Sequence, residues 1–156
     1  MIITSNAIDA AQSLCVFTGK NSGSGGIVSF CGQVREKSQA GRVKALYLEA
    51  FEPLTSHGIN AAIKTAQSRW ALDDAIVTHR IGTIIAGQTI VFVAVAAKHR
   101  RAAFEATDFL MDYLKTDAIF WKKEIGETKS VWIEPRQDDY KDADRWSPIS
   151  NPTGEA

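Results

Sequence analysis

Cysteine is scarce in this chain. Cys15 and Cys31 are the only two, with no CxxC pair and no histidine nearby at zinc-ligand spacing. A disulfide framework or a structural metal is therefore not expected, and a reducing cytoplasm is the compartment that this usage suits. Charge of one sign is lacking too: 18 Lys and Arg balance 18 Asp and Glu. No global field draws the protein to nucleic acid or to a membrane, so any anion site has to be a local cluster. The longest apolar run, Thr89 to Ala97, is far too short to span a bilayer and reads as a buried strand. No basic leader followed by an apolar stretch opens the sequence, so no signal peptide is expected.

What is present suits one soluble globular domain: 156 residues, 45% of them apolar and 23% charged. Ser5 or Asn6 is placed to cap a short helix with Ile8, Ala11 and Cys15 on one face. A Gly/Ser loop over 19–26 follows, then a strand over 27–34, a polar turn or mobile loop over 36–42 and a strand over 43–51. Pro53 starts a helix over about 54–70, and 75–81 reads as a strand. Gly82 and Gly87 bound a turn before the strand 90–97. The next helix covers about 99–114, with Ala103, Ala106, Leu110 and Leu114 on its apolar face and Glu105, Asp108 and Asp112 on its wet one. A closing hairpin is expected from 119–125 and 129–134. Beyond Arg136 the acidic, polar composition predicts an extended or partner-dependent tail, giving a domain over 1–136 (core 25–136) and a tail over 137–156. Paired strands between helices favour an α+β sandwich with a largely antiparallel sheet.

Two basic groups stand out chemically. Lys98-His99-Arg100-Arg101 sits where a strand becomes a helix, an end that already carries positive partial charge. An anion would turn that repulsion into attraction; the plainer alternative is a solvated corner with Arg101 paired to Glu105. Lys115 closes a strong helix, and Lys122 follows seven positions later, after Phe120 and Trp121. Each has an ordinary explanation, Lys115 complementing the helix dipole and Lys122 and Lys123 keeping an edge strand soluble. But Lys122 shares its strand face with Phe120 and Glu124. Were Lys115, Lys122 and Arg35 to converge, repulsion would lower at least one lysine pKa toward neutrality. Arg35 follows Gly32, where backbone can approach a ligand closely. His57 and His79 read as surface or packing residues, and Trp70, Trp132 and Trp146 as core or interface anchors.

Taken together, Gly32-Gln33-Val34-Arg35, His79-Arg80-Ile81-Gly82, His99-Arg100, Met111 to Thr116, Phe120-Trp121-Lys122-Lys123-Glu124 and Trp132-Ile133-Glu134 resemble the large, catalytic subunit of molybdopterin synthase. The resemblance covers about Gly25 to Arg136, and its block from Met111 to Glu124 is the most specific part. It implies an α/β hammerhead-type fold with packed helices and a homodimer within a heterotetramer. The implied partner is a small ubiquitin-like sulfur carrier whose Gly-Gly tail ends in a thiocarboxylate. The implied reaction moves that sulfur to cyclic pyranopterin monophosphate, building the molybdopterin dithiolene in two deliveries. The lysine pair of the family falls on Lys115 and Lys122 as catalytic residues. Its substrate-binding positions fall on Gln33, Val34, Arg35, His99, Arg100, Lys123, Glu124 and Arg136, with His99 and Arg100 able to serve a neighbouring protomer. Glu124 is expected to fix Lys122. No metal or cofactor is implied, since sulfur arrives on the carrier. Gln33 departs from a commonly basic position, Ile119 from a usual proline, and the loop 38–42 is variable ground. Two other classes of reading remain: a non-catalytic scaffold for a ubiquitin-like partner, and a phosphate- or nucleotide-sensing module using the basic helix start.

Overall fold

The computed structural model describes residues 1–38 and 41–147. Among them run β1 (Ile2–Thr4), α1 (Ala10–Lys20), β2 (Gly26–Gln33), β3 (Lys37–Ser38), β4 (Gly41–Ala50), α2 (Leu54–Trp70) and β5 (Leu72–Arg80). β6 (Gly82–Ile85), β7 (Thr89–Ala97), α3 (Arg100–Thr116), β8 (Phe120–Gly126), β9 (Ser130–Ile133) and α4 (Gln137–Asp144) complete the order. One sheet has the order β1-β5-β7-β2; the second runs β3-β4-β8-β9, with β6 also paired to β4. Among the described residues only the β1–β5 pair is parallel, so the expected α+β class with a largely antiparallel sheet is what forms. No helix among the described residues is long and apolar enough to cross a membrane.

β7 explains how the layers meet. Its apolar run lacks the alternation of a half-wet strand because both faces are covered. Val91, Val93, Val95 and Ala97 face α2 and α3, meeting Ile59, Ile63, Ala66, Ala103, Ala106, Leu110 and Leu114. Phe92, Ala94 and Ala96 face the other way, onto Phe17 of α1. A third cluster, Val34, Val43, Leu48 and Ile84, joins the second sheet to the end of the first.

Several elements differ from the sequence reading. α1 is capped by Asp9, whose carboxylate accepts the Gln12 N–H, not by Ser5 or Asn6. Ala11 and Cys15 are exposed while Phe17 is buried, so the inward face is set by the long aromatic side chain. The stretch from Gly82 holds β6, paired with Ala45 to Leu48. Part of the loop 36–42 is a tight hairpin, Lys37 pairing with Arg42; positions 39 and 40 lie outside the described residues.

The largest correction concerns the chain after Arg136, which was expected to be extended. Residues 137–144 instead form α4, which packs along α3. Arg145 binds Asp108 and Asp112 at 2.8 and 2.6 Å, and Trp146 Nε1 donates to Asp112 at 2.6 Å. The Trp146 ring meets Trp70 and Phe109 edge-on, and Arg69 donates to the Trp146 carbonyl. Much of the supposed wet face of α3 is thus the seat of this segment. The expected tail over 148–156 lies outside the described residues.

Candidate functional site

The turn after α3 decides where the two lysines go. Asp117 and Ala118 both return their N–H groups to the Tyr113 carbonyl, closing the helix just after Lys115 in its last turn. Buried Thr55, at the start of α2, donates its hydroxyl to the Ile119 carbonyl at 2.7 Å and fixes the entry into β8. The chain therefore reverses within a few residues of Lys115 and runs back along β4, with Lys122 opposite Leu48. Strand alternation then places Phe120, Lys122 and Glu124 on one face.

That face lines a cavity of about 570 Å³ closed by β2, β8, the end of α3 and the segment leading into α4. Lys115 and Lys122 both line it, together with Gln33, Val34, Arg35, Glu124 and Arg136. A register shift in the β2–β7 ladder at Gly32–Gln33 redirects the chain toward the cavity, a common use of a bulge. Val34 is then pinned: its N–H donates to the Gln88 carbonyl and its own carbonyl accepts from Gly87. Its side chain is buried in the core, so Val34 shapes the wall and offers little polarity. Gly32 serves packing, since a Cβ there would stand 2.7 Å from Val91 Cγ1. Gly32 also lines the cavity, where its backbone was expected to let a ligand approach.

Burial is the first cause acting on Lys122, and the charge of Lys115 the second; Asp139 opposes both, and the pKa falls from 10.5 to about 8. The sequence reading gave repulsion the leading part, but loss of hydration leads here. Beneath the lysine lies His79, 4% exposed and stacked on Phe120 with ring centroids 4.1 Å apart. Its Nδ1 is 3.0 Å from the Arg80 carbonyl, which can only accept, so Nδ1 carries the proton and Nε2 is left as an acceptor. Burial, with a smaller part from Lys122, lowers its pKa to about 4 against the rise its backbone hydrogen bond gives. His79 is the packing residue anticipated, but it is also part of the cavity wall. Cys31 is likewise on that wall, exposed, with Sγ 3.6 Å from Thr89 Oγ1.

The other expected site residues are distributed as follows. Glu124 accepts a hydrogen bond from the Ser38 hydroxyl, and among the described residues no salt bridge joins it to Lys122. Lys123 faces away from the cavity, with Nζ 5.1 Å from the centre of the Trp132 ring. His99 caps α3 with extended backbone, and Arg100 begins that helix against Gly26. Fifteen helical residues separate Arg100 from Lys115, about 22 Å at 1.5 Å each. One chain does not bring His99 or Arg100 to its own lysines. The bland pairing also forms there, Arg101 lying 3.9 Å from Glu105.

Asp139 was missed by the sequence reading. Its carboxylate accepts the Arg136 N–H at 2.8 Å and the guanidinium at 3.1 Å. Asp three residues after a helix-capping position was the available signal, obscured because the segment was read as extended.

The family model described as MoaE protein matches residues 3–117. The molybdopterin synthase catalytic subunit of Caulobacter vibrioides is 48% identical over 122 residues, 78% of this chain and 80% of that protein. The solved molybdopterin biosynthesis MoaE protein from Burkholderia ambifaria superposes with a TM-score of 0.78 at 32% identity, covering 95% of this chain and 99% of the other. A third structure, the complex of subunits 1 and 2 of the molybdopterin-converting factor from Helicobacter pylori, shares the fold. Its TM-score is 0.74 at 20% identity, over 86% of this chain and 90% of that one.

Proposed function

The chain belongs to the MoaE protein family, and from that premise we propose how it acts as the catalytic subunit of molybdopterin synthase, an enzyme of molybdenum cofactor biosynthesis. The reaction is sulfur transfer from the C-terminal thiocarboxylate of a small ubiquitin-like carrier to cyclic pyranopterin monophosphate. The observation that carries this reading is the meeting of Lys115 and Lys122 in one cavity that Arg35 and Arg136 also line.

Each delivery forms a carbon–sulfur bond at a pterin side-chain carbon as a carbon–oxygen bond there breaks, the oxygen leaving with the opened cyclic phosphate or as water. Water then cleaves the acyl–sulfur bond, and the carrier leaves as a carboxylate. Lys115, exposed on the cavity wall, orients the thiocarboxylate and stabilises charge on the acyl carbon. Lys122 gives and takes the proton at the pterin carbon receiving sulfur, a task suited to an amine that titrates near pH 8. Arg35 and Arg136 hold the phosphate. His99 and Arg100 contribute from a second protomer of a homodimer, within a heterotetramer completed by two carriers. The sulfur needs no resident cofactor, and Cys31 is a wall residue rather than a relay.

Incubation with thiocarboxylated carrier and pyranopterin is expected to yield the dithiolene, and carrier ending in an ordinary carboxylate is expected to yield none. Failure with the thiocarboxylate, carrier binding being intact, would remove the sulfur-transfer reading. Cys31→Ser is expected to retain activity; a dead variant of unchanged fold would shift the reading to a cysteine persulfide.

A further inference from the structure

We propose that Asp139 is a positioning residue of this site: fixed by Arg136 at the cavity wall, its carboxylate keeps Lys122 in a proton-donating state. The inference rests on the proposed role of Lys122 and adds a residue from α4 to it.

Asp139 lines the lysine-bearing cavity and is only 9% exposed. Burying a carboxylate costs several kcal/mol unless partners offset it. Two kinds of partner are in place. Arg136 supplies its backbone N–H at 2.8 Å and its guanidinium, from Nη2 at 3.1 Å and from Nε at 3.4 Å. The cavity adds the charge of Lys115 on α3, and Arg35 beyond β2, Lys37 on β3 and Lys122 on β8 line the same cavity. Of the other carboxylates on the wall, Glu124 is engaged by Ser38, and Glu134 is exposed. His79 is neutral near pH 7, its pKa being about 4. Asp139 is thus the buried anion of this wall among the described residues.

The electrostatics agree with the geometry. Burial pushes the Asp139 pKa up, but the Arg136 hydrogen bonds, with the charges of Lys115 and Arg136, outweigh it and hold the carboxyl below its ordinary value. In return Asp139 raises the pKa of Lys122 against burial and Lys115. Without that anion Lys122 would titrate lower still, and a smaller share of it would be charged and able to give a proton near neutral pH. The clasp of Arg145 and Trp146 on Asp112 holds α4, and hence Asp139, in register with the lysines.

Asp139→Asn separates this role from helix capping, since the amide oxygen can still accept the Arg136 N–H while the charge is gone. The Lys122 side chain is titrated by 13C NMR in the full chain without substrate, so the result does not depend on sulfur transfer. The expected result is a fall of the Lys122 midpoint by roughly half a unit or more. The bell of the pH–rate profile should move the same way. An unchanged midpoint in a folded Asp139→Asn chain overturns the proposal. Should the amide loosen α4, Asp139→Glu decides: a midpoint near the wild-type value supports the charge role, and a fall as large as that with Asn means packing and overturns it. Loss of turnover in the wild-type assay, with the Lys122 shift intact, would count against the synthase reading alone.

Discussion

An amine held among apolar side chains loses the hydration that its charged form needs, and Lys122 shows the consequence in a pKa of about 8. The same desolvation costs the fold stability at neutral pH, where the unfolded chain keeps the lysine fully solvated and charged. Because the folded pKa lies below the unfolded one, stability rises with pH between about 8 and 10.5 as the buried amine gives up its proton. Lys122→Met is accordingly expected to stabilise the fold at pH 7 by roughly 1–3 kcal/mol. Its dithiolene formation should fall by about 100-fold or more. Urea unfolding reads the first effect, and a lower midpoint would contradict it. His79 gives a second window of the same sign at lower pH. Its folded pKa of about 4 lies below the ordinary 6.5, so stability is complete above pH 6.5 and declines as pH falls toward 4, where the unfolded chain takes the proton first. The loss attributable to His79 is up to about 3 kcal/mol. His79→Gln should flatten the acid limb of stability against pH, and an unaltered limb would assign it to carboxylates.

At the scale of elements, α3 and its turn organise the site, and α4 closes it. Leu110 is 1% exposed in the core between α3, α2 and β7, so Leu110→Ala should cost about 2–5 kcal/mol by denaturant unfolding. Trp146→Ala acts locally: losing its edge-on contacts with Trp70 and Phe109 should speed amide exchange in α4 while β7 stays protected. Equal acceleration in β7 would mean that α4 is no separate unit. The helices α2 and α3, the strand β7 and the β8–β9 hairpin were legible because periodic apolar residues, Pro53 and the Gly126 turn report local preference directly. α4 was not legible. Its segment, Gln137 to Asp144, carries little apolar pattern, and what holds it is an aromatic packed against Trp70 and an arginine paired across to α3. Such pairings join residues more than thirty positions apart and leave no local period. β6 escaped for a related reason, four residues between glycines whose ladder partner lies on β4.

For the whole molecule, the lysine pair and Arg35 could be placed together from spacing and resemblance, but the position of His99 and Arg100 could not. They stand at the far end of a 17-residue helix, so their contribution to a site requires a second copy. Mixing an Arg100→Ala chain with a Lys115→Ala chain is then expected to restore about a quarter of wild-type turnover, since half the dimers are mixed and each carries one intact site. No restoration, with exchange of protomers verified, would place both basic groups in separate roles. With 18 charges of each sign the chain has no global positive field, and Arg35, Lys37, Lys115, Lys122 and Arg136 are cations gathered on the cavity wall.

Single-turnover dithiolene formation by the Lys115→Ala chain, with thiocarboxylated carrier and pyranopterin, tests the two-lysine site most directly. The expected result is no product from a chain that still folds and still binds carrier. Product at the wild-type rate would mean that the amine at the end of α3 takes no part in the chemistry.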